Sequence, residues 1–414
     1  VVPVHDLYVC AVIFTQDIHA MNKVRILSSE YGAFRVEIQD FLISKLLKEK
    51  PRVIYDPMAG TAPLIPFIEM NGIKAYLNDI LPIHFFVNKA KEYQVYQHYR
   101  KRGHEWFFQH SLKCMSALKG KGLCMSDKWI DDSVLQGLIQ AWHAVEQYDR
   151  NSETLLKAVV LLSVRPLSST TKTKNPTWLK SGGISTGKKL KEIVQESLSR
   201  FDRYYRHHYG SCHIKKRGKC IITHRNSAEL RLPQEVDLIL TSPSYCNRIE
   251  PMIQYGPENY FLSAVGYTSS QDDLVSTTKV RGYDRLAEDL EFLASKSKYA
   301  SALLNKIKQS PMEDDPGYYL KYYTRYFATL YQVIHTALTN LREKGKMYIV
   351  TQDNTHRGEL IEIDEVLRQL LKTNGWESRI IKRWERHQMG LQNVSRNHAF
   401  IRPKHFEKLM VVWQ

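Results

Sequence analysis

The sequence contains few cysteines, and their spacing matches no common motif. Six occur among 414 residues, none in a Cys-x-x-Cys pair, which argues against a disulfide-stabilised scaffold and against a common zinc module. No apolar run reaches the roughly 20 residues that a membrane-spanning helix requires. Residues 1–20 lack the basic leading segment of a signal peptide. We therefore expect a cytoplasmic protein with no bound metal and no membrane partner.

Internal repeats and low-complexity tracts are also absent. The composition, 43% hydrophobic and 25% charged, is that of a globular protein. The unusual property is a formal net charge of +16. Clustered Lys and Arg side chains favour a polyanionic partner, because neutralising phosphates releases condensed counterions. The charge therefore favours a nucleic-acid partner, although basic proteins without such a partner are also common.

Short apolar strand patterns alternate with helical patterns along the chain. A strand at residues 53–55, a turn at Gly60, a helix over 64–70 and a strand at 75–77 predict a βαβ unit of a parallel sheet. A second helix is predicted over 83–93, and residues 94–218 are mainly helical in pattern and increasingly basic. Further strands are predicted at 220–223, 236–240, 347–351, 378–381 and 409–413, and further helices at 286–307, 318–341 and 359–372.

These patterns predict an α/β fold, a doubly wound, Rossmann-like domain interrupted by a mostly helical insertion. Residues 21–95 form the first half of that domain in this interpretation, residues 96–217 the insertion, and residues 218–414 the second half.

The turn after the first strand is the first candidate site. It reads Asp56-Pro57-Met58-Ala59-Gly60-Thr61, and small residues between a strand and a helix let the backbone approach a ligand closely. Asp79, at the end of the second strand, is placed to accept hydrogen bonds from ribose hydroxyls. Alone, this pattern predicts a nucleotide-like ligand, or no more than an ordinary βαβ turn.

A second candidate site follows the strand at 236–240 and reads Thr241-Ser242-Pro243-Ser244-Tyr245. A proline-stiffened loop after a strand turns its carbonyl groups away from the sheet. An exocyclic amine that attacks a methyl donor needs acceptors for its two hydrogens, and Ser242 and the Pro243 carbonyl can supply them. Tyr245 can stack on the base. This chemistry needs no covalent nucleophile, so the adjacent Cys246 is interpreted as structural.

Together, the two segments resemble the DNA methyltransferases of the exocyclic amino class, whose signatures read roughly D-P-F-x-G-S-G and [DNS]-P-P-[YFW]. The serine form is similar to the cytosine-N4 branch, and the aspartate form is more typical of adenine-N6 enzymes. The resemblance implies a methyltransferase fold and S-adenosyl-L-methionine as cofactor. It also implies that the cofactor is bound by residues 56–61, by Asp79 and Ile80, by Asn226 and Ser227, and by Thr241, and that residues 242–245 are catalytic.

Three residues depart from the pattern of this family. Ser244 replaces the second proline of the catalytic loop, Ala62 replaces a glycine of the cofactor loop, and Asn226 replaces an aspartate. Ala62 is a mild change if its φ is negative, and Asn226 can still hydrogen-bond adenine through its amide. Ser244 costs the loop one fixed φ and some rigidity. We expect activity to be retained, because the carbonyl that the family uses belongs to the first proline, here Pro243.

The insertion lies where this family commonly carries its target-recognition region. Basic and aromatic side chains interleave there in a pattern that suits phosphate contact and base stacking. The predicted DNA-binding residues are Lys172, Lys174, Trp178, Lys180, Lys188, Lys189, Lys215, Lys216 and Arg217, with Arg248 just past the catalytic loop. The alternative for the insertion is a solvated helix face with tyrosines in a local core. Arg248 is as well placed to be an ordinary loop residue.

The sequence thus predicts a site-specific DNA methyltransferase that modifies cytosine N4 in duplex DNA, as part of a restriction-modification or related defence system. A cognate restriction endonuclease would then be a second partner. One alternative is the same chemistry on adenine N6 or on RNA. Another, from a different class, is a non-catalytic nucleic-acid-binding protein that keeps a degenerate methyltransferase fold.

Overall fold

The computed structural model describes residue 26 and residues 36–118, 129–168, 190–210, 217–246, 250–270, 273–277, 280, 282–309, 316–356, 359–386 and 404–414. The described residues fall into two compact units. The first draws on residues 1–52, 60–224 and 252–269, and the second on residues 53–59, 225–251 and 270–414. The fold is α/β, with many helices and a mostly parallel arrangement of strands.

The helices, in chain order, are α1 (Val36–Glu49), α2 (Ile65–Met70), α3 (Pro82–Lys91), α4 (Tyr93–Arg102), α5 (His104–Cys114), α6 (Asp132–Ala144), α7 (Arg150–Val164), α8 (Leu190–Tyr209), α9 (Pro251–Gln254), α10 (Gly256–Ala264), α11 (Leu286–Lys296), α12 (Lys298–Lys308), α13 (Pro316–Leu338) and α14 (Ile363–Lys372). The strands are β1 (Val53–Asp56), β2 (Lys74–Asp79), β3 (Lys219–His224), β4 (Val236–Thr241), β5 (Leu341–Gln352), β6 (Asn354–His356), β7 (Glu359–Ile361), β8 (Glu377–Arg386) and β9 (His405–Trp413).

In the first unit, β2 and β3 form a parallel pair, in register from Lys74 opposite Lys219 to Asp79 opposite His224. The described residues between 94 and 218 are mainly helical, as the sequence predicts. Helix α7 is the most buried of these helices, since every residue from Leu155 to Val164 is buried. It begins at an N-cap, Asp149, whose carboxylate accepts hydrogen bonds from the first-turn N–H groups.

In the second unit, β4 lies between β1 and β5 and is parallel to both. β9 then pairs antiparallel with β5 on one side and with β8 on the other. Tyr55 of β1 is opposite Ile239 of β4. The two paired strands are not consecutive in the chain, because β2 and β3 come between them. The carboxyl ends of β1 and β4 therefore adjoin at a crossover in the strand order, where open α/β sheets usually bind ligands.

Two predicted helices differ in the structure. The helix predicted over 286–307 is two helices, because Ser297 is extended and its hydroxyl accepts a hydrogen bond from Ala300 N–H as the N-cap of α12. The helix predicted over 359–372 begins only at Ile363, because Glu359–Ile361 pairs antiparallel with Asn354–His356. Among the described residues, no helix has the length and apolar character needed to span a bilayer.

Candidate functional site

In the first unit, the Asp79 carboxylate lies at the end of β2 and is held by three groups. One oxygen accepts a hydrogen bond from Gly60 N–H over 2.8 Å. The other accepts one from Leu81 N–H over 2.8 Å and lies 3.0 Å from His84 Nδ1. Burial acts to raise the pKa of Asp79, but His84 and the two N–H groups outweigh it and hold the pKa below its ordinary value. Asp79 is therefore an anion at neutral pH, and a carboxylate with about four acceptor positions can take a further donor.

The second part of the predicted cofactor loop, Gly60 and Thr61, is fixed by two side chains of α3. Asn88 Nδ2 donates to the Gly60 carbonyl over 2.8 Å, and Lys91 Nζ donates to the Thr61 carbonyl over 2.5 Å. Gly60 has a φ of +52°, and a Cβ built on it would meet no described atom within 4 Å. The loop thus presents glycine backbone to open space at its turn, which is the property that close approach of a ligand requires.

The replacement of a glycine by Ala62 is not the mild change that a negative φ would make it. Its φ is +41°, in the left-handed region, and its side chain is buried. A Cβ in this region crowds the following carbonyl group, which costs about 1–2 kcal/mol. The position has the backbone conformation for which glycine is suited, so the departure from the family pattern is a real energetic cost.

In the second unit, the first part of the same loop is anchored at the end of β1. The Asp56 carboxylate accepts a hydrogen bond from Met58 N–H over 3.1 Å, and the buried Ser227 hydroxyl donates to the Pro57 carbonyl. Pro57 and Ala59 are buried and Met58 is half-buried. The structure therefore brings Ser227 and the Asp-Pro turn into direct contact, as two segments 170 residues apart.

Asn226 uses its side-chain oxygen within its own turn. Asn226 Oδ1 accepts a hydrogen bond from Ala228 N–H over 3.0 Å, while Nδ2 lies 3.5 Å from the Glu229 carboxylate. A contact of 3.5 Å is beyond the normal range of an N–H···O hydrogen bond. If Asn226 contacts an adenine, its side-chain N–H group is therefore more available for that contact than its side-chain oxygen.

The predicted catalytic loop begins where β4 ends, at Thr241. Pro243 is buried, whereas Ser242 and Tyr245 are half-buried, and their two hydroxyl oxygens lie 3.4 Å apart. This distance is too long for a strong O–H···O hydrogen bond. Thr241 Oγ1 is buried and has no hydrogen-bond partner among the described residues.

A tyrosine of α13 forms a hydrogen bond with Ser244, the residue at which this loop differs from the family signature. The hydroxyl of Tyr326 donates to the Ser244 carbonyl over 2.8 Å, and Tyr326 is itself 1% exposed. The neighbouring Cys246 is 2% exposed, and burial raises the pKa of its thiol well above its usual range. Cys246 is therefore a protonated thiol at neutral pH, which agrees with a structural role rather than a nucleophilic one.

Ile80 contributes its main chain to a small hydrogen-bonded group in the first unit. The Ile80 carbonyl accepts from the Ser269 hydroxyl and lies 2.8 Å from His224 Nε2, which is also 3.0 Å from Ser269 Oγ. Burial lowers the pKa of His224. These contacts fix the main chain next to Asp79, and they leave the half-buried Ile80 side chain as the part that could contact a ligand.

Most predicted DNA-binding residues lie outside the described residues, namely Lys172, Lys174, Trp178, Lys180, Lys188, Lys189, Lys215, Lys216 and Arg248. Arg217 is described and exposed. Its guanidinium lies 3.4 Å from the Glu69 carboxylate and 5.7 Å from the centre of the Tyr93 ring.

A group of carboxylates in the second unit has the spacing of a metal site but surrounds a lysine. The described Asp353, Glu362 and Asp364 offer oxygens within 4.8 Å of one another. Lys408 Nζ lies 2.9, 2.7 and 3.0 Å from them, respectively, and is 2% exposed. The ammonium therefore supplies the positive charge that holds together two buried carboxylates and the half-buried Glu362.

Three side chains that contact predicted site residues are not among the residues that the sequence predicts for a site. His84 follows Asp79 by five residues, at the start of the next helix, and that short spacing could have suggested the pair. Asn88 lies one helical turn further along α3. Tyr326 is 82 residues from Ser244, and no local pattern connects them.

Searches against protein-family models and curated proteins find no match for this chain. A functional conclusion therefore depends on the residues and geometry described above.

Proposed function

We propose that this protein is an S-adenosylmethionine-dependent methyltransferase that modifies an exocyclic amino group of DNA, cytosine N4 in a duplex. The observation that carries the proposal is that two segments of the second unit follow neighbouring strands. The Asp56-Pro57 turn and the Ser242–Tyr245 loop leave the carboxyl ends of two adjacent parallel strands, β1 and β4. That edge, at the crossover in the strand order, is where a ligand is expected.

The residues of the loops suit the proposed cofactor in three respects. The turn at Gly60 has open space beside its Cα, and its main chain is fixed by Asn88. Asp79 is ionised and has capacity for one more hydrogen-bond donor, such as a ribose hydroxyl. Asn226 can donate through its amide to an adenine ring nitrogen. When bound, S-adenosylmethionine supplies a methyl group activated by the positive charge of its sulfur.

The proposed roles of residues 242–245 follow from the chemistry of the amine. An exocyclic nitrogen attacks through its lone pair, so its two hydrogens must be bound to acceptors that orient it. Ser242 Oγ and the Pro243 carbonyl supply these acceptors, and the Tyr245 ring stacks against the flipped base. The rate then comes from orientation and polarisation of the amine. Ser244 contributes its carbonyl to Tyr326, which keeps the loop in one arrangement.

A non-catalytic nucleic-acid-binding protein is the competing function, and specific observations favour it. Ala62 carries backbone strain within the cofactor loop, the Asn226 oxygen is already bonded within its own turn, and a serine stands in place of the second proline of the catalytic loop. These features together would be expected of a site that has lost catalytic activity.

Methyl transfer itself separates the two functions. The protein is incubated with isotopically labelled S-adenosylmethionine and mixed-sequence duplex DNA, and the nucleosides are analysed by mass spectrometry. We expect N4-methylcytosine from the parent protein, none from Ser242→Ala, and an unchanged yield from Ser295→Ala, an exposed serine in α11.

Other outcomes of the same experiment are equally informative. N6-methyladenine, or transfer to RNA in a parallel reaction, would keep the reaction class and replace the substrate. Binding of DNA with no methyl transfer to any of these substrates would overturn the proposal in favour of the binding protein.

A further inference from the structure

The first unit contains a cationic pocket at the opposite end of its strands from Asp79. It has a volume of about 430 Å³, and its charged and amide lining side chains are Lys89, Glu92, Gln94, Arg150, Arg217 and Lys219. β2 and β3 are parallel, and Lys219 is opposite Lys74 while Asp79 is opposite His224. Five residues of strand separate these two positions, or about 17 Å. The pocket is therefore distinct from the candidate cofactor loop.

The local sequence brings two of the cations to the pocket at the start of β3. Lys219 is the first residue of β3 and Arg217 lies two residues before it, and both line the pocket together with Cys220 and Ile221. Gly218, between the two cations, packs tightly, since a Cβ there would lie 2.4 Å from the carbonyl oxygens of Ile68 and Ile73.

Two main-chain hydrogen bonds hold this segment in place. Gly218 N–H donates to the Glu69 carbonyl over 2.7 Å, and Lys219 N–H donates to the Ile73 carbonyl over 3.0 Å. These main-chain hydrogen bonds therefore fix the backbone that carries Arg217 and Lys219 at the pocket.

The charges of the pocket are unbalanced. Four cations and one carboxylate, Glu92, line it. Burial raises the pKa of Glu92, although the charge of Lys89 and a hydrogen bond from Gln94 oppose the shift. Among the described residues, the nearest carboxylate partner of Arg217 is Glu69, at 3.4 Å.

Four like charges around one cavity repel one another, and a bound anion relieves that repulsion. Arg and Lys donors converging on one space are typical of sites for phosphate, which accepts several charge-assisted hydrogen bonds at once. A volume of about 430 Å³ is within the range of small-ligand pockets.

We propose that this pocket binds a phosphate group. The same chemistry fits a free phosphorylated small molecule and a phosphate of a nucleic-acid backbone. Binding here does not depend on the proposed methyl transfer, because the two sites lie at opposite ends of the strands and phosphate binding needs no cofactor.

The test uses the full chain without S-adenosylmethionine and three probes: inorganic phosphate, AMP and a short DNA duplex. Affinities are measured at several salt concentrations for the parent and for the double variant Arg150→Gln with Lys219→Gln. Both side chains are exposed, so the variant should fold, and its thermal unfolding is compared with that of the parent. The control is Arg100→Gln with Lys101→Gln, which removes the same charge at the far end of α4.

If the ligand is a free phosphate, the double variant should weaken AMP or phosphate binding by about tenfold or more, and the control should not. If the phosphate belongs to nucleic acid, only duplex affinity should fall. Its salt dependence should then flatten by about one unit of slope per lost contact. Equal effects of the double variant and the control on all three probes would overturn the proposal. Lys89→Gln, on α3, provides a second variant with the same expectation.

Discussion

The hydroxyl of Tyr326 donates a hydrogen bond to the main-chain carbonyl of Ser244 over 2.8 Å. Ser244 is the residue at which the proposed catalytic loop lacks the second proline of the family that its sequence resembles, and Tyr326 is a buried side chain of α13. A tertiary hydrogen bond thus restrains the loop where a fixed φ would otherwise restrain it.

We predict that Tyr326→Phe lowers the methylation rate by about tenfold, or ~1.4 kcal/mol, and leaves cofactor affinity nearly unchanged. The reason is that a looser loop orients the amine less well without altering the cofactor loop. Single-turnover rates on DNA and calorimetric titration of the cofactor measure the two effects. Tyr331→Phe on the same helix is the control, since its hydroxyl contacts Asn374 and should not affect the rate.

The same measurement can be made on Ser244→Pro. Alone it should change the rate by less than about tenfold, and in the Tyr326→Phe background it should restore part of the loss. Ser242→Ala and Tyr245→Ala should each cost far more. A parent protein with no detectable transfer that Ser244→Pro rescues would show that the loop is idle as it stands.

Asp79→Ala should weaken S-adenosylmethionine binding by about 2–3 kcal/mol, the cost of losing charge-assisted hydrogen bonds to a ribose. It also releases Gly60 N–H and His84, so Asp79→Asn is measured beside it to separate loss of charge from loss of shape. Calorimetric titration gives the affinities. The exposed Asp284→Ala is the control, and an affinity unchanged by Asp79→Ala would remove Asp79 from the cofactor site.

Ala62→Gly should stabilise the protein by about 0.5–1 kcal/mol. Glycine relieves the strain of a φ of +41°, and its greater entropy in the unfolded chain offsets part of the gain. Denaturant unfolding measures the difference. Ala59→Gly is the matched control, because Ala59 is buried in the same loop and is not a positive-φ position. Ala59→Gly should destabilise the protein. A loss of stability in both variants would contradict the inference that Ala62 is strained.

Glu69→Gln should make the protein more stable above pH 7 and its stability less dependent on pH. Burial raises the pKa of Glu69 from 4.5 to about 7, against the hydrogen bonds of Tyr93 N–H and the Tyr209 hydroxyl and the charge of Arg217. The folded state thus binds this proton more tightly than the unfolded state. Stability is then lost as pH rises from about 4.5 to 7, by roughly 3 kcal/mol at most.

Unfolding of the parent and of Glu69→Gln at pH 5 and pH 8 tests this sign. The two should be similar at the lower pH and differ at the higher one. Glu235→Gln, an exposed control, should follow the parent at both. A Glu69→Gln variant less stable than the parent at pH 8 would mean that the ionised carboxylate is worth more to the fold than its burial costs.

Lys408→Met should destabilise the protein by about 3–5 kcal/mol, because it leaves three carboxylates without their shared cation. The deficit should shrink as pH falls, since burial already raises the pKa values of Asp353 and Asp364 despite Lys408. Thermal unfolding across pH measures both effects. Lys404→Met breaks an exposed pair with Glu385, 3.2 Å long, and should cost less than about 1 kcal/mol. Equal costs for the two variants would contradict the account.

The strands and the two loop motifs could be read from the sequence because they depend on neighbours in the chain. A compact apolar run such as the one that includes Ile239 and Leu240 in β4 is typical of a strand that is covered on both faces of its sheet. The structure confirms that the predicted site segments follow the carboxyl ends of β1, β2 and β4. The break at Ser297 and the strand Glu359–Ile361 were missed. The first depends on a cap, and the second on pairing with another segment.

Only the tertiary structure decided which of these groups meet. The φ of Ala62, the support of Ser244 by Tyr326 and the enclosure of Lys408 by three carboxylates each depend on packing between elements far apart in the chain. The cationic pocket joins Lys89, Arg150 and Lys219 in the same way. Residue type and local spacing set what each side chain can do, but its partner, burial and charge environment are set by the segments that pack against it.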